Sequence, residues 1–327
     1  MKPLRAVRVC LTIGLLCTSP AFANDSGPKG HPVPGTPFEQ REIVDDLGRT
    51  ITYYVSRPRK PTAPILLMIQ GSGCVPIMHV QPTGTYATLF DLGPFAEEGQ
   101  FTVVAVEKPF ASGTLSNSAG TARSCSTEFN NDFTAERWLV ALRFALNDAR
   151  KSSWVDRDRT LAFGFSEGAN MADMLAGRDD SITDVIAIGG SGTTQLFDFV
   201  AKCYRSFDAS ACVSETERNL EAITANPTSA TEFAWGHPYK RWASFFRLDP
   251  GDELLRSKAR VHIAFGTADA STPALSEEVA IAKLRLAGRD VTVRRIPDAG
   301  HTLSDGNLRD MDREYRAALS WFWQHGD

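Results

Sequence analysis

Short apolar-rich runs recur along this chain and alternate with stretches in which apolar residues return every three or four positions. The runs fall at 65–69, 101–106, 160–165, 185–188, 261–265 and 291–296. A strand covered on both faces loses the alternation of a half-exposed one, so these runs predict a mostly parallel sheet. Upstream, 42–45 and 50–55 flank Asp46-Leu47-Gly48-Arg49 and predict a β-hairpin. Within 132–150, Trp138, Leu139, Leu142, Ala145 and Leu146 share one helical face. Arg137, Asn147, Asp148 and Arg150 then take the outer face. Met171, Ala172 and Leu175 repeat the pattern after Ser166, with Gly177 as the expected helix stop. Strand and helix in alternation give a doubly wound α/β sheet.

The interval 192–260 breaks this rhythm. It has no comparable strand and holds Trp235, Tyr239, Trp242, Phe245 and Phe246. A connection of that length needs structure of its own, so a mostly helical insertion is expected before the last two strands. Its aromatic residues suit either a substrate pocket (Trp235, Tyr239, Trp242) or a small core of the insertion.

The two ends of the pattern differ from the middle. Lys2, Arg5 and Arg8 precede an apolar stretch at 9–16, and Ala21-Phe22-Ala23 offers a small-x-small cleavage site. That is the layout of a signal peptide spanning 1–23, and its apolar core is far shorter than the roughly 20 residues that cross a bilayer. Export without stable membrane anchoring, to the periplasm or the medium, follows as the expectation. Residues 24–37 are rich in Pro and Gly and read as a flexible lead-in to a domain over 38–327.

Without residues 1–23 the chain keeps 32 of its 35 Lys+Arg against all 39 Asp+Glu, near −7. No basic run points to nucleic acid. Four cysteines remain, Cys74, Cys125, Cys203 and Cys212. In an exported chain they suggest disulfides, and Cys203 with Cys212 closes the short loop, leaving Cys74 with Cys125. Close Cys/His pairs of the kind that bind zinc are missing, so no metal is expected.

Candidate chemistry sits at strand ends. Gly164-Phe165-Ser166-Glu167-Gly168 fits G-x-S-x-G between a strand and a helix, where a sharp turn presents the serine hydroxyl and frees the Glu167 N–H for an oxyanion. His301, in Asp298-Ala299-Gly300-His301-Thr302 after the last strand, is the candidate base. Asp269, closing Phe265-Gly266-Thr267-Ala268-Asp269, is the candidate acid, with Asp298 as its rival. Gln70-Gly71-Ser72-Gly73-Cys74 follows the first buried strand and supplies a second N–H donor, from Ser72 or Gly73. The Glu167 side chain is read as solvated at the helix start or as repelling anionic substrates.

These motifs occur in the order oxyanion loop, Ser, Asp, His, each after its own strand. In this the chain resembles the α/β-hydrolase superfamily over about 38–325, and is similar to its dienelactone-hydrolase and prolyl-oligopeptidase-like branches. It departs from the common esterase pattern in carrying Gln70 where His often precedes the glycines. The resemblance implies a serine hydrolase working by two-step acyl transfer without a cofactor. An ester is the first expectation for the substrate, since an activated serine meets its lowest chemical barrier there. A short peptide or amide is the rival, and an exported binding protein on the same fold is the non-enzymatic alternative. The oligomeric state stays open.

Overall fold

The computed structural model describes residues 30–80, 86–88, 92–111, 125–303 and 308–324. The expected signal peptide and the start of the lead-in lie outside them. Nine strands form one sheet among the described residues. They are β1 (His31–Pro32), β2 (Phe38–Val44), β3 (Thr50–Ser56), β4 (Ala63–Ile69), β5 (Thr102–Val106), β6 (Val155–Phe165), β7 (Asp184–Ile188), β8 (Arg260–Gly266) and β9 (Val291–Ile296). Their order across the sheet is β1-β2-β3-β5-β4-β6-β7-β8-β9. Pairing is antiparallel from β1 to β5 through β2 and β3, and parallel from β5 to β9.

The central parallel strands β4, β5 and β7 are buried along their whole length because both faces are covered, whereas the edge strand β9 and the start of β6 carry exposed charged residues. Ile65, Leu67 and Ile69 of β4 enter one core and Leu66 and Met68 the other, as a period of two requires. The first core receives α3 (Ala135–Ala149), α4 (Glu167–Arg178) and α9 (Ala274–Leu286), with α2 (Thr127–Asp132) at its margin. The second receives α1 (Leu92–Glu98) and α10 (Leu308–Gln324), whose Tyr315 and Phe322 are buried. Each fully buried large apolar side chain, Trp138 and Phe322 among them, contributes roughly 1.5–3 kcal/mol.

Four local features depart from the sequence reading. The expected helix over 132–150 is α3, which starts at Ala135, while α2 ends at Asp132 just upstream of it. Phe133 takes an extended conformation and the Thr134 hydroxyl accepts from the Arg137 N–H, which starts α3 afresh. Arg137 and Asp148, expected on the outer face, are buried by specific partners. Arg137 pairs with Asp132 and Asp45, and Asp148 accepts from the Tyr53 hydroxyl at 2.6 Å. Gly177 does not end α4, which runs through it to Arg178. It is where α4 crosses α8 (Pro250–Arg256), and a Cβ there would lie 2.6 Å from the Glu253 carbonyl. Finally, within the lead-in expected to be flexible, the described residues are held on the sheet: His31 and Pro32 pair with β2 and Val33 is buried.

Between β7 and β8 lie α5 (Gln195–Cys203), α6 (Ala209–Ala225), α7 (Tyr239–Phe245), α8 and a two-stranded ribbon of Phe233–Ala234 with His237–Pro238. Ile223, Ala234 and Trp242 form their own small core, with Phe199, Trp235 and Tyr239 packed against it. Cys203 is bonded to Cys212, linking α5 to α6, and Cys74 to Cys125, with Cα–Cα separations of 5.3 and 5.8 Å. Among the described residues no helix is long and apolar enough to cross a membrane.

Candidate active site

The turn between β6 and α4 is built on what its glycines lack. A Cβ on Gly164 would overlap the Gly168 carbonyl, and one on Gly168 would overlap the Ile69 carbonyl of β4. With both positions bare, Ser166 sits between them at φ 56° and ψ −124°, a strained conformation for a residue with a side chain. Its N–H donates to the Ile188 carbonyl at 2.9 Å, which ties the turn to β7.

Two loops at the same edge reach it. After β8, Asp269 is buried, and its Oδ1 accepts from the N–H groups of Ser271 and Thr272 at 2.7 and 2.9 Å. Its Oδ2 lies 2.7 Å from His301 Nδ1, and His301 Nε2 lies 3.0 Å from Ser166 Oγ. A turn-closing role and a histidine-holding role therefore coexist in one carboxylate, one oxygen for each. The two loops also lock together: Ala268 N–H donates to the Ala299 carbonyl at 3.0 Å, and a Cβ on Gly266 would overlap that same carbonyl. Asp298 faces away, exposed, its N–H donating to Thr267 Oγ1. A hydroxyl bonded to a histidine that a carboxylate orients can lose its proton as it attacks an electrophile.

Ser72 lies on the loop after β4 and, with Ser166 and His301, lines a cleft of about 420 Å³. A Cβ at Gly71 would sit 3.5 Å from the Ser166 Cβ, so the loop and the serine are in contact range. Among the described residues, neither the Ser72 nor the Glu167 backbone N–H is taken up by a protein acceptor. The far wall comes from the segment between β7 and β8, through Phe199, Trp235, Arg241 and Trp242. Tyr239, expected beside the two tryptophans, does not line the cleft; it starts α7 and packs on the small core instead.

The Glu167 side chain is neither solvated nor facing substrate. It is buried, with Oε1 accepting from Lys108 Nζ at 2.8 Å and Oε2 held by Arg241. Burial alone would raise its pKa, but the two cations outweigh that and hold it at about 2. Nearby His237 is kept neutral, down at about 3, by burial and by the Arg241 charge. Lys108 and Arg241 escaped the sequence reading. The available signals were a lysine closing the buried run FTVVAVEK and an arginine inside the aromatic cluster.

The model of the prolyl oligopeptidase family matches residues 143–327, more than half of the chain. The chain belongs to the prolyl oligopeptidase family. It is a serine hydrolase of the α/β-hydrolase fold. The matched span includes Ser166, Asp269 and His301 and leaves out the 70–74 loop and Lys108. No curated protein sequence matches. Among solved structures, acylaminoacyl peptidase of Pyrococcus horikoshii is similar at TM-score 0.59 and 16% identity, over 88% of this chain and 41% of that one. Dipeptidyl peptidase 4 of Porphyromonas gingivalis gives TM-score 0.54 and 18% identity over 88% and 35%. A Klebsiella pneumoniae protein assigned as a candidate dienelactone hydrolase gives 0.54 and 16% over 88% and 99%. This chain thus spans less than half the length of those two peptidases. At such identities the likeness carries the fold.

Proposed function

We propose that this chain hydrolyses peptide or amide bonds through a Ser166 acyl-enzyme, with His301 as base and Asp269 orienting it. The observation that carries this reading is the continuous relay from Asp269 Oδ2 through His301 to Ser166 Oγ, at 2.7 and 3.0 Å. Asp269 keeps the proton on Nδ1, which leaves Nε2 free to accept from the serine. Oγ attacks the carbonyl carbon while His301 takes its proton. The carbonyl oxygen, now anionic, is received by the N–H groups of Ser72 and Glu167. His301 returns the proton to the leaving amine, and water, deprotonated by the same base, releases the acid. The family match favours peptides over the ester that chemical barrier alone puts first. The cleft at the relay is of a size for a few residues of substrate, with aromatic side chains opposite Ser166. Two disulfides support an oxidising destination, consistent with export.

A fluorophosphonate probe is expected to label the mature protein once per chain and Ser166→Ala not at all; equal labelling of both would sink the nucleophile. Aminoacyl-anilides compared with p-nitrophenyl esters then test the substrate class. Turnover of esters alone would return the ester reading.

A further inference from the structure

The strongest unexplained feature beside the cleft is a lysine with no access to it. Lys108 follows β5, and its side chain is completely buried. An ammonium has three hydrogens to donate, and all three are committed. They go to the Gly71 carbonyl at 2.6 Å, the Gly73 carbonyl at 3.1 Å and Glu167 Oε1 at 2.8 Å. The ring faces of Trp138 and Phe133, 4.2 and 4.7 Å from Nζ, cover the remaining sides. Burial lowers its pKa to about 8, against the pull of Glu167, so it is cationic at neutral pH. A group so enclosed cannot meet substrate.

We infer that Lys108 is the positioning residue of the oxyanion site, clamping the 70–74 loop to the nucleophile turn so that the Ser72 N–H faces the cleft. This rests on the reading of Ser166 as nucleophile. The clamp follows from peptide geometry. In a planar trans peptide the C=O and the next N–H point in opposite directions. Holding the Gly71 oxygen against a buried ammonium therefore turns the Ser72 N–H away from Lys108, while Ser72 itself lines the cleft. Gly73, at φ 95°, lets the chain double back so that its carbonyl reaches the same ammonium. The third partner, Glu167, is the residue whose N–H is the other proposed donor. One side chain thus fixes both segments that would hold the anion, and its charge polarises the Gly71–Ser72 peptide toward stronger donation. Arg241, by taking the second oxygen of Glu167, joins the far wall of the cleft to the same point.

Lys108→Met removes the clamp and leaves Glu167 paired with Arg241. Phe133→Leu removes one ring from beside the ammonium and keeps all three of its hydrogen bonds. Fluorophosphonate labelling, with its rate and end point read separately, and p-nitrophenyl acetate hydrolysis distinguish clamp from mere structural support. The Met variant is expected to reach the same end point as the parent about 10²-fold more slowly, the loss typical of an oxyanion donor. Its kcat should fall in parallel with KM unchanged. The Leu variant should retain most of the labelling rate. A Met variant labelled at the parental rate overturns the inference. A Leu variant slowed by about 10²-fold overturns it too, even where the Met variant does not fold. A wild-type chain that never labels would remove the nucleophile and this inference together, whereas parental labelling with an indifferent Lys108 removes the inference alone.

Discussion

Single atoms carry much of the site. Asp269 divides its two oxygens between the backbone of Ser271 and Thr272 and the imidazole of His301. Asn in its place could still accept from the two N–H groups with its carbonyl oxygen, but it would offer an amide donor to Nδ1. The ring would then carry its proton on Nε2 and be unable to accept from Ser166. On the proposed mechanism, Asp269→Asn lowers kcat by about 10⁴ with the fold retained. Asp298→Asn is the matched control, since Asn tolerates the left-handed φ of 58° at that position and the side chain is exposed. Its kcat should match the parent. Steady-state rates for the pair check this, and equal losses would restore Asp298 as the acid. The preference for Asp269 rests on sequence order, an acid after the penultimate strand and a base after the last, and on Asp298 lying only three residues along one loop from His301. What sequence could not convey was the second use of its carboxylate, because that depends on two N–H groups turning toward one oxygen.

Elements show the same division between what periodicity carries and what contact decides. The six runs became β4 to β9; continuous apolarity is a strong signature for the central strands covered on both faces, while the edge strand β9 keeps Arg294 and Arg295 exposed. Gly177 shows where such reasoning stops. In an isolated helix a glycine near the end reads as a stop, and replacing it with alanine would gain up to about 1 kcal/mol. Here it faces the Glu253 carbonyl of α8 with no room for a Cβ, so the bare position is what lets the two helices pack. Gly177→Ala is therefore expected to destabilise the protein by about 1–3 kcal/mol, as overpacking does. Urea unfolding followed by far-ultraviolet circular dichroism measures it; a rise in the midpoint would show that the crossing can relax. The start of α3 shows the same on a smaller scale. The apolar stripe carries the helix expected over 132–150, but its first residue is set by the Thr134 hydroxyl, which caps it.

At the scale of the molecule, helices from three parts of the chain bring acids together behind the nucleophile. Asp173 of α4, Asp198 of α5 and Glu277 of α9 are all buried. Burial, together with Glu253 for Asp173, Asp269 for Asp198 and several carboxylates for Glu277, raises Asp173 and Glu277 well above their ordinary values and Asp198 to about 6. An acid whose pKa is higher in the fold than in the unfolded chain supports the fold fully below its unfolded value. That support is lost as pH rises toward the folded value, at about 1.4 kcal/mol per pH unit for each such group. Other groups pull the opposite way in other windows. His237 and His262, lowered to about 3 and 4, add stability only as pH climbs to their unfolded value of 6.5. Glu167, held at about 2, has given its full contribution above 4.5, and Lys108 begins to add stability only above about 8. Above pH 4.5, then, each raised acid pulls stability down with rising pH until its own folded value is reached. Glu277→Gln keeps the shape and removes one such ionisation. Urea midpoints at pH 4.5 and 6 should therefore fall more, or rise less, for the parent than for the variant. Parallel changes would mean that Glu277 is already ionised in the fold, stabilised there by contacts that its neighbours Asp173, Asp198 and Asp269 do not supply.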